Sequence, residues 1–376
     1  MTTASAVPAA PAGCPFTAEF LPPNMRKHVD PAAPVPLRMM AAKGLVPLSP
    51  SDMLGALYML TYDAEQNIRD TAAKTAGGLP DRILGSALRD EGIQAPVLGW
   101  FLGLLKGNDT YAEMLVLNAT TPDEAVADVA AGCSAKLAEI IGQNQLRILR
   151  HENIIRMLCT NANAGPALLD SVCDFAVRSG LVLADVPQMQ AARVRLFGPQ
   201  AVAAPPDPGP TAEQLMEDFK EVAEEAAAPM EEGKRLNLTQ RIMKMSIAEK
   251  IKLATLGNKE ARTLLIRDSN KLVCTAVIRS PRITDGEVLA CATNKAANDE
   301  VLRIIYNNRE WTKVQKIKLA LVKNPKVPLT VVMKFLNNLR DTELKDLARD
   351  RNVPAGVASF AKKLMEKKTA PKKEEK

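Results

Sequence analysis

The chain has 376 residues, of which 47% are apolar and 24% are charged, proportions typical of a folded globular protein. Aromatic residues make up only 4%, which disfavours β-sandwiches and barrels and favours helices packed through aliphatic side chains. The charge is uneven, because residues 236–376 hold 30 lysines and arginines against 15 acidic residues (+15), whereas residues 1–200 hold 16 against 19 (−3).

Neither a membrane span nor a secretion signal is visible in the sequence. No stretch reaches the ~18 uninterrupted apolar residues that a span requires, and the N-terminus lacks the basic and apolar regions of a signal peptide. The six cysteines form no C-x-x-C pair, which favours reduced thiols buried in a protein of reducing compartments. We therefore expect a cytoplasmic protein.

Proline-rich stretches divide the chain into segments. Residues 1–36 are rich in proline and alanine and are predicted to form a disordered or loosely packed arm. The sequence AVAAPPDPGP holds four prolines and a glycine, so it is predicted to be an extended linker. The predicted organisation is an arm at 1–36, a helical-repeat module at 37–200, a Pro-rich linker and acidic helix at 201–235, a basic helical-repeat module at 236–366 and a charged tail at 367–376.

Apolar residues in both modules follow helical spacing. Ile305 follows Leu302 by three residues and Val301 by four, the spacing that places side chains on one face of a helix. Ser246 precedes Glu249 by three residues, as Thr284 precedes Glu287, which predicts two helix-starting capping boxes. The helices are short and marginal alone, so they need neighbours. The sequence predicts an all-α protein.

A recurrent corner separates the predicted helices of the second module. LVKNPKVP (321–328) and LARDRNVP (347–354) both end a helix near an asparagine and continue into Val-Pro, and VIRSPRI (277–283) carries Ser-Pro instead. Asparagine tolerates the left-handed conformation that ends helices, and proline prevents continuation. Successive corner asparagines are 24, 30 and 28 residues apart. The predicted corner residues are Asn270, Asn294, Asn324, Pro325, Pro328, Asn352 and Pro354.

The pattern of an apolar helix, asparagine and proline resembles the bacterial leucine-rich-repeat-variant and HEAT-like α-solenoid families. LALVKNPKVP, DLARDRNVP and VLACATNKAA carry the resemblance, which covers residues 240–366 well and 37–180 loosely, where Asn118 and Asn161 occupy similar positions. It implies two α-solenoid modules of stacked helices that act as binding scaffolds. Because the chain has no N-terminal cysteine cluster, the resemblance implies no iron–sulfur role.

Catalytic chemistry has little support in the sequence. The only histidines are His28, in the proline-rich arm, and His151, at a predicted helix junction. Cys274 and Cys291 fall on successive helices without a further metal ligand nearby. None of the familiar nucleotide-binding, hydrolase or metalloprotease motifs occurs. We expect no enzyme activity, cofactor or metal, although a carboxylate site between the modules stays open.

The basic last third is the main functional signal. Trp311–Lys323 is predicted to be one helix, with Ile317 and Leu321 on an apolar face and Lys316 on the other. Its cations either solvate the outer surface or recognise an acidic partner or a phosphate backbone. The candidate partner-binding residues are Lys313, Lys316, Lys323, Lys326, Lys334 and Arg340.

The sequence therefore predicts a non-catalytic scaffold or adaptor that binds another, acidic protein through the basic module. The predicted acidic helix at 211–232 could also contact that module within the chain. The alternative is sequence-independent nucleic-acid binding by residues 236–376. That alternative predicts aromatic side chains interleaved with the lysines, and this third of the chain lacks such a pattern.

Overall fold

A computed structural model of the protein describes residues 13–15, 17–199, 211–217, 239–350 and 353–369. All regular structure in these residues is helical and none is strand, which confirms the predicted all-α class. Two compact units divide the chain, one formed by Met1–Val177 and Val182–Val202 and the other by Arg178–Leu181 and Ala203–Lys376.

The first unit begins with two short 3-10 helices, Ala18–Phe20 and Arg26–His28. Its α-helices are α1 (Val35–Ala42), α2 (Pro50–Leu60), α3 (Gln66–Gly77), α4 (Asp81–Ala87), α5 (Ala95–Leu105), α6 (Asp109–Leu117), α7 (Asp123–Ala130), α8 (Ala135–Gln143), α9 (Gln145–Arg150), α10 (Asn153–Thr160), α11 (Pro166–Arg178), whose last residue belongs to the second unit, and α12 (Pro187–Phe197).

The second unit includes helical residues at 212–217 and 239–244, each beside residues that the structure does not describe. Its remaining helices are α13 (Ile247–Leu256), α14 (Lys259–Leu265), α15 (Lys271–Ile278), α16 (Asp285–Thr293), α17 (Asp299–Asn307), α18 (Arg309–Lys313), α19 (Gln315–Lys323), α20 (Leu329–Leu336), α21 (Asp341–Arg349) and α22 (Ala355–Thr369).

Residues 17–36 differ from the predicted disordered or loosely packed arm. Ala18 and Val29 are fully buried, and the second 3-10 helix packs against α1. Arg26 holds the segment together by donating from Nε to the Leu21 carbonyl, 3.0 Å away. These few apolar side chains, rather than any helical periodicity, order this part of the segment.

Helices of the first unit pack mainly against near neighbours in the chain. Helix α2 contacts α1, α3, α4 and α5, and α7 contacts α5 and α10. The core between them is largely aliphatic, as the composition predicts, with Leu54, Leu57 and Leu98 fully buried beside Phe101. Since each helix has at most 13 residues, this mutual burial supplies most of its stability.

The second unit shows the same preference for neighbours. Helix α15 contacts α13 and α17, α16 contacts α17 and α19, and α22 contacts α20 and α21. One continuous cluster of buried residues runs from Cys274 to Ala361 through these helices. Residues 178–181 join this unit, because the Ala248 N–H donates to the Ser179 carbonyl at 3.2 Å.

The two predicted capping boxes are formed to different extents. Thr284 and Glu287 make the complete box, since Thr284 Oγ1 accepts from the Glu287 N–H and the Glu287 carboxylate accepts from the Thr284 N–H. Ser246 caps α13, but the Glu249 carboxylate accepts instead from the Ala212 N–H at 2.8 Å. This bond places the start of the predicted acidic helix beside α13, and its continuation from residue 218 lies outside the described residues.

Asn294 and Asn324 end α16 and α19, but the predicted conformation is wrong. Both have extended backbones, with φ of −72° and −83°. Among the described residues only glycines have a positive φ. At these corners both asparagines make side-chain hydrogen bonds, and neither adopts a left-handed backbone.

Three buried asparagines make the same set of bonds. Asn324 Nδ2 donates to the carbonyls of Ala292 (2.9 Å) and Asn294 (3.1 Å), while its Oδ1 accepts from the Lys326 N–H at 3.0 Å. Asn118 and Asn161 bind upstream carbonyls in the same way. Each carboxamide therefore satisfies backbone groups of its own corner and of a corner about 30 residues earlier.

Serine takes this place at the Ser-Pro corner. Ser280 is buried, and its Oγ donates to the Thr255 carbonyl, 3.2 Å away and 25 residues upstream. Arg282, two residues later, donates from its guanidinium to the next carbonyl, that of Leu256, at 2.9 Å. At this corner a serine and an arginine together bind two adjacent upstream carbonyls, whereas at other corners a single asparagine binds two upstream carbonyls.

The other predicted corner residues begin helices or lie before them. Asn270 caps the start of α15, where its Oδ1 accepts from the Leu272 N–H at 2.8 Å. Pro325 lies in the turn after α19, Pro328 is the N-cap of α20, and Pro354 immediately precedes α22. Asn352 is outside the described residues.

The prediction of one helix over Trp311–Lys323 is wrong at Val314. That residue has ψ of 112°, ends α18 and begins α19. The Thr312 hydroxyl donates to the Asn308 carbonyl, and Val314 packs against the core of the unit. The packing of the half-buried Val314, together with the Thr312 hydroxyl bond, which can bend a helix, therefore accompanies the break in the helical pattern. Beyond the break, Ile317 and Leu321 are buried and Lys316 is exposed, as their spacing predicts.

Candidate functional site

The six predicted partner-binding cations all lie at exposed positions of the second unit. Three have acidic neighbours: Lys313 contacts Glu310 (2.6 Å), Lys323 contacts Asp350 (2.9 Å) and Lys326 lies 3.5 Å from Asp299. Lys316, Lys334 and Arg340 have no ion pair within the described chain. Because exposed pairs contribute only about 0–1 kcal/mol, all six keep cationic character at the surface.

Only Lys326 among the six lines a large groove. The groove has a volume of about 980 Å³ and lies entirely within the second unit, between residues of α14, α15, α16 and α17. This volume is near the upper end for ligand sites, which range over roughly 300–1,000 Å³. The lining residues are Lys259, Arg262, Thr263, Ile266, Arg267, Asp268, Ser269, Cys274, Val277, Ile283, Gly286, Glu287, Ala290, Cys291, Asn294, Ala296, Ala297, Asn298, Val301 and Lys326.

Buried apolar side chains contribute much of the lining and belong to the core of the unit. Val277, Val301 and Ala297 lie beside the thiols of Cys274 and Cys291. Helix α15, which supplies Cys274 and Val277, is held by α13 and α17. The groove is therefore built on packed helices rather than on a loop.

One wall is a strip of small residues on α16. Gly286, Ala290 and Asn294 are spaced four residues apart, so they share one face of the helix. All three are exposed. The capping box at Thr284 fixes the start of the same helix. This wall consequently leaves room for another molecule to approach the helix closely.

Positive charge is in excess around the groove. Four cations and two carboxylates line it, and both carboxylates already have cationic partners. Glu287 accepts two hydrogen bonds from the Arg262 guanidinium (2.9 and 3.1 Å), and Asp268 accepts from Lys250 at 2.8 Å. This pairing leaves an excess of cationic side chains that can attract an anion.

Three exposed cations line the groove: Lys259, Arg267 and Lys326. Lys259 and Arg267 have no ion pair in the part of the chain that the structure describes, whereas Lys326 lies 3.5 Å from Asp299. Lys326 is held at the groove by a 2.8 Å hydrogen bond from Nζ to the Ala297 carbonyl. These three cations come from different elements of the unit, so the fold brings them together although the sequence keeps them apart.

The Arg262–Glu287 pair joins α14 to α16 and is largely buried. Burial by itself raises the pKa of Glu287, but the Arg262 hydrogen bond and the Thr284 bonds outweigh it and hold the pKa below its usual value. Arg262 also donates to the Gly257 carbonyl at 3.0 Å. The pair links two helices that line the groove. Because the charges of Arg262 and Glu287 neutralise each other, neither is available to a ligand.

The two groove thiols are poor nucleophiles at neutral pH. Burial and nearby acidic groups raise the pKa of both Cys274 and Cys291 to about 11. Cys274 Sγ also donates to the Asp268 carbonyl at 3.0 Å. Because a thiol must lose its proton to attack or bind a metal, these residues act here as small apolar side chains.

Histidine is not part of the groove. His151 lies at the junction of α9 and α10, as its sequence position predicts. No group of three or more potential metal ligands occurs within the described ranges. None of the helices in those residues has both the length and the apolar content needed to cross a membrane.

Sequence reasoning missed most of the groove. Lys259 and Arg267 were not distinguished from other surface cations, because their meeting with Lys326 depends on how α14, α16 and α19 pack. The Gly286, Ala290 and Asn294 spacing was visible in DGEVLACATN and could have indicated an open helix face. Its significance depends on the cations and apolar side chains around it.

No family model, no curated protein and no solved structure matches the chain.

Proposed function

We propose that the protein is a non-catalytic scaffold that binds an acidic protein partner through its basic second unit. The observation that carries this proposal is the groove with an apolar lining and excess Lys259, Arg267 and Lys326 charge. Cations around apolar surface provide both electrostatic attraction and a region that excludes water.

The arrangement of helices supports the scaffold part of the proposal. Short helices that contact helices one to three places further along the chain, with asparagines bonding about 30 residues upstream, are what stacked helical repeats require. We therefore propose an α-solenoid architecture for both units, in agreement with the resemblance of residues 240–366 to HEAT-like repeats. Such arrays offer extended surfaces for other proteins.

Nucleic-acid binding is the less favoured candidate. No aromatic side chain is among the residues that line the groove, so single-stranded bases have nothing there to stack on. The cations of the second unit would attract a phosphate backbone as well as an acidic protein. Protein binding and nucleic-acid binding must therefore be distinguished by experiment.

Affinity capture from the cells that make the protein tests the proposal. Full-length wild type is compared with Lys316→Glu/Lys334→Glu, Lys259→Glu/Arg267→Glu and the variant carrying all four substitutions, with and without nuclease. We expect to capture an acidic protein. Its binding should withstand nuclease treatment, weaken at high salt and be lost in the variant with all four substitutions. Recovery of nucleic acid alone contradicts the proposal.

A mobility-shift titration provides the complementary measurement for nucleic acid. If the rival function is correct, the logarithm of affinity for a homopolymeric single strand falls linearly with the logarithm of salt concentration. We expect no specific shift of the full chain at physiological salt. A tight shift with a steep salt slope favours the rival.

A further inference from the structure

We propose that the groove binds a short segment of the partner that places an apolar side chain on the groove floor between flanking acidic residues. This inference rests on the proposed function and assigns its site and the chemistry of the recognised segment. The floor, the small-residue wall, the cations and one carboxamide each contribute a separate part of the argument.

The floor favours an apolar side chain. Cys274, Val277 and Val301 line it and are at most 2% exposed. The thiols are protonated, and Cys274 already donates to backbone carbonyls. The floor therefore offers few polar groups that could hydrogen-bond to a ligand. A charged or amide side chain placed there would lose its hydration without equivalent partners.

The wall sets the size of the segment. From Gly286 to Asn294 the strip covers about two turns of α16, or about 12 Å. An extended chain covers this distance in about four residues. Ala290, at its middle, has a small exposed side chain that allows another backbone to approach. The bound core is therefore short, with room for one central side chain.

The charges specify what flanks that side chain. Lys259 and Arg267 lie on α14 and the corner after it, and Lys326 comes from the corner after α19. Since Glu287 and Asp268 are already paired with Arg262 and Lys250, an incoming carboxylate meets Lys259 and Arg267, together with Lys326, which also has Asp299 3.5 Å away. A segment with more than one Asp or Glu matches this distribution, whereas a basic segment would be repelled.

Asn294 supplies a directional contact. Its Oδ1 accepts from the Ala296 N–H at 2.9 Å, which orients the carboxamide. Within the described residues the Nδ2 group makes no hydrogen bond, in contrast to Asn324, which donates to two carbonyls. Asn294 lines the groove and is exposed, so its amine can donate to a carbonyl or carboxylate of the bound segment.

A random peptide library displayed on phage and selected against the full chain tests the inference. Enriched peptides are synthesised, and their affinities are measured by fluorescence anisotropy for wild type and three variants. Lys259→Glu/Arg267→Glu reverses two exposed groove cations, and Ala290→Gln fills the wall with a good helix former. Lys316→Glu/Lys334→Glu makes the same charge change outside the groove, and circular dichroism confirms that every variant is folded.

We expect enrichment of acidic residues around an apolar one. Affinity should fall by about tenfold or more in both groove variants and stay within about twofold of wild type in the outside variant. Replacing the apolar residue of the peptide by serine should also weaken binding.

Three results would overturn the inference. Acidic peptides that are lost with Lys316→Glu/Lys334→Glu but retained by the groove variants would move the site elsewhere and leave the proposed function standing. Enriched peptides without acidic residues would remove the charge argument. An empty selection would reject the groove as a peptide site, while affinity capture decides the proposed function independently.

Discussion

At the residue scale, Asn324 shows why a corner asparagine matters. Its carboxamide bonds two carbonyls 32 and 30 residues upstream as well as its own turn. The motif LVKNPKVP correctly predicted that a helix ends at Asn324. It also predicted a left-handed backbone for Asn324, which is wrong, because the side chain acts through carbonyls distant in the sequence. The distant carbonyl partners became visible only when α16 and α19 were packed together.

Replacing Asn324 by alanine should destabilise the second unit by about 1–3 kcal/mol, because the buried carbonyl of Ala292 and the partly buried carbonyl of Asn294 lose their donor. The chain has two tryptophans, so urea unfolding followed by Trp311 fluorescence in a Trp100→Phe background reports on this unit. Asn337→Ala, at an exposed helix end, is the matched control and should change stability by less than about 0.5 kcal/mol. Equal effects of the two substitutions would refute the role given to Asn324.

The groove thiols predict a loss of stability at high pH. Folding raises the pKa of Cys274 and Cys291 from 9.0 to about 11, so the folded state retains protons that the unfolded state releases. Their contribution to stability is therefore complete below pH 9 and decreases as pH rises towards 11.

Urea unfolding between pH 8 and 11 measures this effect. The wild type should lose more stability over the interval than Cys274→Ala/Cys291→Ala. The variant lacks both thiols but retains every lysine and tyrosine, the other groups that titrate at high pH. If stability falls with pH in parallel for the two proteins, burial does not raise the pKa of these thiols.

At the scale of elements, local signals located helix starts better than helix continuations. The Thr284 and Glu287 box was predictable because both partners lie in one turn. The division of Trp311–Lys323 was not, because the break at Val314 depends on burial against the rest of the unit. Hydrogen bonds within one helical turn can be predicted from the sequence. A helix break that depends on packing against the core can be identified only once the fold is known.

Thr284→Ala should destabilise the second unit by about 0.5–2 kcal/mol, since the Glu287 N–H loses its acceptor at the start of α16. The same Trp311 fluorescence assay measures it, and Thr284→Ser, which keeps the hydroxyl, should retain most of the stability. Because Thr284 is exposed, no cavity contributes to the loss. A serine variant as unstable as alanine would argue against the cap.

At the scale of the whole molecule, composition and periodicity were sufficient for the helical class and the aliphatic core. The net charge of +15 over residues 236–376 is the basis for proposing an anionic partner. Charge counting could not identify which cations remain available, because Arg262 and Lys250 are paired with carboxylates from other elements. Lys259, Arg267 and Lys326 line one groove only through the packing of the helices.

Hydrogen–deuterium exchange of the full chain, with and without the acidic partner recovered by affinity capture, tests the central claim most directly. Binding in the groove predicts slower exchange in α14, α15 and α16 and in the corner at Lys326, and the loss of this protection in Lys259→Glu/Arg267→Glu. Protection confined to the surface of Lys316 and Lys334, or protection that the groove variant leaves unchanged, would contradict the account.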